Sequence, residues 1–203
     1  MPGNAATDTG IVTSADGKPL ADAVVFVQEP TTPAATAPAS AGPVANATMD
    51  QVDKTFLPGV LPVVVGTRVR FPNHDQIHHH VYSFSRTKTF ELPLYKGEDA
   101  SPVLFDKVGV VKIGCNIHDW MSSIILVLPT PWFARTSSDG RFTLANVPDG
   151  PHSLVAWHEL SKQKIDDTAK TVQAGANAAD VTFSLALGAA RARPAMRGAG
   201  RER

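Results

Sequence analysis

The chain has 203 residues, 43% hydrophobic and 19% charged, a balance that supports a buried core and excludes wholesale disorder. Formal net charge is zero, but the last fifteen residues carry Arg191, Arg193, Arg197, Arg201 and Arg203 against Glu202, leaving a mildly acidic body. Such a body excludes a phosphate-neutralising nucleic-acid binder, and no apolar run approaches the roughly 20 residues of a membrane span. Cys115 is the only cysteine, so a disulfide scaffold and any multi-cysteine zinc or iron–sulfur site are excluded. An inert thiol, a nucleophile or a single metal thiolate remain.

In chain order, GIVTSADGKPLADAVVFVQEP reads as two short strands around a turn at Asp16-Gly17. Between Glu29 and Thr48, sixteen of twenty residues are Ala, Pro, Thr or Ser, which have little to bury and predict an extended linker over 29–48. From Met49 the texture changes. TRVRFPN alternates Val69 and Phe71 against Arg68 and Arg70, and HHVYSF alternates His79, Val81 and Ser83 against Tyr82 and Phe84. VGVVKIGC places Val111, Ile113 and Cys115 on one face. SIILVLP is apolar on both faces, as a central strand of a sandwich would be. Asp139-Gly140 predicts a hairpin turn before the alternating RFTL. NVPDG then turns into SLVAWH, KQKIDDTAK has room for one helical turn, and VTFSLAL is a last strand. Residues 189–203 predict a disordered basic tail. Strands this closely spaced, without convincing helices, predict an all-β sandwich architecture.

The chemistry concentrates in Cys115-Asn-Ile-His118-Asp-Trp-Met121. A thiolate, an imidazole and a thioether at i, i+3 and i+6, between two strands, can turn toward one point. A His₂Cys set with a weak axial Met is the blue-copper donor pattern. The second histidine has to come from another strand, and NHDQIHHHV offers His79. A buried inert cysteine would need neither the His and Met at this spacing nor the upstream histidines. A nucleophile–base pair gains nothing from Met121 and lacks an oxyanion loop.

Residues 49–131 resemble a cupredoxin, the fold of plastocyanin, pseudoazurin and amicyanin. The resemblance lies in FLP at Phe56–Pro58, in VVVGTRVRFPN from Val63 to Asn73, and in the ligand loop Cys115, His118, Met121, whose short spacing is amicyanin-like. The family's first ligand histidine precedes Asn-Val, which aligns with His79-His80-Val81 and implies His79 as ligand. Here His80 stands where the family's loop-tying Asn is usual. The segment resembles bacterial proteins labelled methylamine-utilisation or plastocyanin-like. The flanks GIVTSADGKPLADAVVFV and TSSDGRFTLANVPDGPHSLVAWHE resemble the two halves of a carboxypeptidase regulatory-like (transthyretin-like) sandwich. Two strands cannot stand alone, so 10–28 and 133–187 are expected to form one small sandwich interrupted by the cupredoxin.

The resemblance implies a non-enzymatic mononuclear type 1 copper electron carrier, with His79, Cys115, His118 and Met121 as ligands. A c-type cytochrome or a periplasmic dehydrogenase would be its partner. Its periplasmic location implies a leader that this chain does not carry. A copper storage or delivery protein is the alternative, with the extra histidines as transfer ligands; a small oxidase would need an open copper position, which Met121 fills. His74, His78 and His80 are either solvated loop residues or a second metal site. His152 and His158 read as structural or surface, and Trp120 as a docking aromatic or a lid.

Overall fold

The computed structural model describes residues 5–28, 45–98, 100–174 and 180–189. Its strands are β1 (Ala5–Ser14), β2 (Val24–Gln28), β3 (Asn46–Thr48), β4 (Asp50–Val52), β5 (Thr55–Leu57) and β6 (Val60–Val64). There follow β7 (Thr67–Arg70), β8 (His79–Ser85), β9 (Lys88–Tyr95), β10 (Val103–Phe105), β11 (Gly109–Cys115) and β12 (His118–Leu128). The last are β13 (Phe133–Arg135), β14 (Arg141–Pro148), β15 (Gly150–Trp157), β16 (Lys170–Ala174) and β17 (Val181–Leu185). One 3-10 turn, Asp166–Thr168, falls within KQKIDDTAK. The chain is all-β and of Greek-key sandwich form.

Among the described residues the strands form five sheets, the two-stranded β4-β5 and two larger pairs. The five-stranded sheet β6-β12-β11-β8-β9 and the sheet β10-β7-β3 enclose Met49, Phe56, Val69, Phe71, Phe105, Val111, Ile113 and Cys115. The sheets β14-β1-β17 and β13-β2-β15-β16 enclose Val12, Val25, Phe142, Leu144, Leu154, Phe183 and Leu185. β2 lies between β13 and β15, and β1 between β14 and β17, so the segments before and after the central strands share both sheets of the second pair.

A third core joins the two pairs. Val24, Phe26, Val155 and Trp157 on one side meet Val60, Ile124, Leu126 and Leu128 on the other. This explains the strands whose sequence is apolar on both faces. In β12, Ile125 and Val127 point into the first core while Ile124, Leu126 and Leu128 point into the shared one. In β2, Val25 and Val27 serve one core and Val24 and Phe26 another. Two-sided apolarity here marks a strand between two cores rather than simply the middle of one sandwich.

The structure amends three sequence expectations. Asn46–Thr48, inside the predicted linker, forms β3, because parallel pairing with β7 satisfies its backbone whatever its propensity; residues 29–44 lie outside the described residues. The first strand begins at Ala5 rather than near Gly10. Asp139-Gly140 does form a tight turn, with Gly140 at φ +76° and too close to the Val12 carbonyl for a Cβ. Its flanking strands nevertheless enter different sheets, β13 beside β2 and β14 beside β1, so the turn is an arch and not a hairpin. Turn chemistry sets the local reversal, whereas the choice of sheet is tertiary. The tail expectation for 189–203 lies outside the described residues except at Ala189.

The shared core predicts cooperative melting. Leu126 is fully buried there, so Leu126→Ala should cost about 2–5 kcal/mol. Calorimetry should show one transition in the parent chain and the same single transition at lower temperature in the variant, with Trp157 fluorescence tracking it.

Candidate metal centre

Among the described residues, His79, Cys115 and His118 form one group whose donor atoms all lie within 4.8 Å of one another. Cys115 Sγ is 3.7 Å from His79 Nδ1 and 3.6 Å from His118 Nδ1. The two rings stand at 61° with centroids 5.0 Å apart. His79 and Cys115 are buried and His118 is half-buried. Met121 is buried in the same apolar cluster as Cys115.

Broken strand registers assemble the group. β11 and β12 pair regularly from Gly109↔Val127 to Gly114↔Ser122, a register that would set Cys115 opposite Met121. Instead the register shifts and Cys115 pairs with His118. The extra residues on β12 form a bulge that allows both His118 and Met121 to approach the face Cys115 occupies. Between Cys115 and His118 only Asn116 and Ile117 remain, so Cys-x₂-His is a tight turn with its two donors opposite each other. β8 lies on the other side of β11, pairing Val81 with Cys115, which brings in His79.

A carboxylate orients His79. Its Nε2–H donates to Asp75 Oδ2 at 2.7 Å, which leaves Nδ1 as the free lone pair facing Cys115. Asp75 is fixed in turn by the backbone N–H groups of Asp53 and Lys54, which donate to its two oxygens at 2.7 and 2.8 Å. Those two residues form the β4–β5 turn at φ +51° and +56°, a left-handed pair that aims both N–H groups the same way. Burial pushes the Asp75 carboxyl up, but the hydrogen bonds from His79, Lys54 and Asp53 outweigh it and hold the group below its ordinary value. Burial, then the neighbouring His79 and Lys54, lower the pKa of His118. A neutral imidazole with a free lone pair is the form a metal needs.

The donors fit a single soft or borderline ion. With bonds of about 2.0 Å to nitrogen and about 2.3 Å to sulfur, the two S···N separations subtend roughly 115° at a common centre, near the trigonal angle. Asp75 supplies the outer hydrogen bond that ligating histidines characteristically make.

Of the remaining candidates, His74 pairs with Asp50 and His80 with Glu91, while His78 is exposed; none joins the group. His80 does not tie the ligand loops together: its Nδ1 is buried without a partner among the described residues, and the β8–β11 backbone pairing holds the loops instead. His152 bonds Asp8, and His158 accepts the Leu160 N–H, both in the second sandwich. Trp120 flanks His118, with ring centroids 5.4 Å apart, and stays 47% exposed. Sequence reasoning missed Asp75, because a loop residue four positions before His79 has no periodicity to mark it.

No family model matches the chain, and no curated protein matches it. Three solved structures illustrate what it is similar to. A copper-containing nitrite reductase from Thermus scotoductus SA-01 is 27% identical over 42% of this chain and 23% of its own, with a TM-score of 0.40. The chain thus spans about a quarter of that enzyme's length. A purple cupredoxin from Nitrosopumilus maritimus is 25% identical over 41% of this chain and 98% of its own, at TM-score 0.36. A reduced amicyanin variant is 23% identical over 39% of this chain and 79% of its own, at TM-score 0.37.

The Asp75 carboxylate predicts a specific loss. Asp75→Ala removes the acceptor for His79 and for two backbone donors, and should weaken metal binding about 10–100-fold. Competition with a chromophoric chelator measures this, and circular dichroism should show an unchanged sheet signal.

Proposed function

We propose that the chain is a mononuclear type 1 copper protein of cupredoxin kind that carries single electrons outside the cytoplasm. The observation that supports it most is the convergence of Cys115 Sγ, His79 Nδ1 and His118 Nδ1 at 3.6–3.7 Å separations beside buried Met121. In this reading His79, His118 and the Cys115 thiolate would be the three strong donors and Met121 a weaker fourth. Copper held there supplies a one-electron couple suited to this soft donor set.

The chain's own residues do the rest. Asp75 keeps His79 in a single tautomer and ring orientation, so the donor geometry need not change with oxidation state. The burial of His79, Cys115 and Met121 keeps water from adding a ligand. His118 alone of the group reaches toward solvent, between exposed Ile117 and Trp120, and its ring edge is the natural point of electron entry and exit. That apolar rim suits transient docking of a redox protein such as a c-type cytochrome or a dehydrogenase. No helix among the described residues is long and apolar enough to cross a membrane. In the domain organisation we propose, 49–131 is the copper domain, and 10–28 with 133–187 is a transthyretin-like sandwich split by it. The sharing of both sheets by β1, β2 and the strands after Trp132 supports that division.

Addition of Cu(II) with visible and EPR spectra tests the reading. An intense thiolate charge-transfer band is expected, lost in Cys115→Ser with the fold retained. His79→Ala should weaken copper binding, whereas His80→Ala should keep the band. Met121→Leu should keep colour and raise the potential, since removing a weak donor disfavours Cu(II). Reversible voltammetry supports the carrier. Rapid copper loss to a chelator without a reversible couple would instead support storage or delivery.

A further inference from the structure

Tyr95 and Gln51 are buried polar residues beside the donor group, and nothing so far gives them a task. Tyr95 is the cross-strand partner of His79, and the β8–β9 register shifts between His79 and Val81. Pro93, which cannot donate to a ladder, lies in the stretch of β9 opposite that shift. The ladder is therefore irregular between His79 and Val81, although His79 itself stays paired with Tyr95. The extra residue turns Tyr95 inward, into the apolar cluster that holds Cys115 and Met121.

Side-chain hydrogen bonds add to the backbone pairing around this bulge, where Asn73 bridges both Gly97 and Gln51. The Tyr95 hydroxyl donates to the Phe71 carbonyl and accepts from Gln51 Nε2. The two Nε2 hydrogens of Gln51 are shared between that hydroxyl and the carbonyls of Phe71 at 3.0 Å and Pro72 at 3.2 Å. Asn73 Nδ2 then links the Tyr95 carbonyl to that of Ile77, at 3.0 and 2.9 Å. The start and end of the loop carrying Asp75 into His79 are thus held to the end of β9. Burial, with the neighbouring Cys115, holds the phenol up at about 12, against the opposing hydrogen bond from Gln51, so it stays a hydrogen donor at any ordinary pH.

Gln51 Oε1 is buried with no partner among the described residues. An unsatisfied buried acceptor carries a desolvation cost that an apolar side chain would avoid. Stability alone does not account for an amide there; its donor contacts do.

We propose that Gln51 and Tyr95 are positioning residues for His79, reinforcing the loop that delivers this ligand beside an irregular stretch of strand pairing. This deepens the copper reading and rests on it. The test uses Gln51→Met and Tyr95→Phe in the full chain. Neither strips its acceptors bare: Phe71 O keeps one of its two donors, and Pro72 O keeps the Gln51 N–H at 3.1 Å.

Without metal, both variants should melt within about 2 °C of the parent. Hydrogen exchange should nonetheless be faster at the Asn73 and His74 amides. With copper, loss to a chelator should be about 10-fold faster and the EPR hyperfine splitting should change. Unchanged copper loss and EPR in both variants would overturn the proposal. So would a fall of many degrees in melting temperature, which would mark a merely structural role. A parent chain that shows no thiolate–copper band overturns the copper reading itself. Exchange at Asn73 and His74 in the metal-free chain then decides the brace on its own, unchanged protection overturning it.

Discussion

Strand β12 has to satisfy two hydrophobic cores at once, and much of the architecture follows from that. Its odd-numbered residues Ile125 and Val127 complete the core behind the donor group, while Ile124, Leu126 and Leu128 seal against β2 and β15. Register in a strand buried on both faces is strongly fixed, because a slip by one residue would exchange the contents of both cores. The strand that begins at His118 is thereby held by packing on both faces over Ile124–Leu128. The second sandwich also covers the β6–β12 side of the five-stranded sheet, leaving the end that bears His118 open.

Against that rigid body, the donor residues sit where regular pairing stops. The shift after Gly114 sets His118 opposite Cys115, and the shift after His79 turns Tyr95 inward. His79, Cys115 and His118 come from three adjacent strands, and a regular ladder puts only every second residue of each on a face. Bulges relax that rule at a local loss of backbone bonds. Side chains make up the loss: Asp75 caps a left-handed turn and His79 together, and Gln51, Asn73 and Tyr95 tie the preceding loop. Polar side chains here reinforce a backbone pairing that is irregular.

Much of this was legible in the residues. Period-two alternation placed the inward faces of β7, β8 and β11 as the structure has them. The Cys115-x₂-His118 spacing carried its own geometry, since a two-residue loop sets its flanking residues opposite each other. His79 was separable from His80 because it shares a face with Val81. Less legible were the contacts that depend on loops. Asp75 reaches His79 only because the β4–β5 turn positions it, and Gln51 meets Tyr95 across forty-four positions of sequence. Such pairs leave no periodic trace.

The sequence by itself determined the strand faces, the turns and the chemical character of the donor set, because these depend on side-chain alternation and on spacing within one hairpin. Only the tertiary structure decided which sheets the turns feed, that β2 and β12 each face two cores, and which outer residues hold the donors in place. Those outcomes depend on register between strands distant in the chain, and register is set by how whole cores pack rather than by any local run of residues.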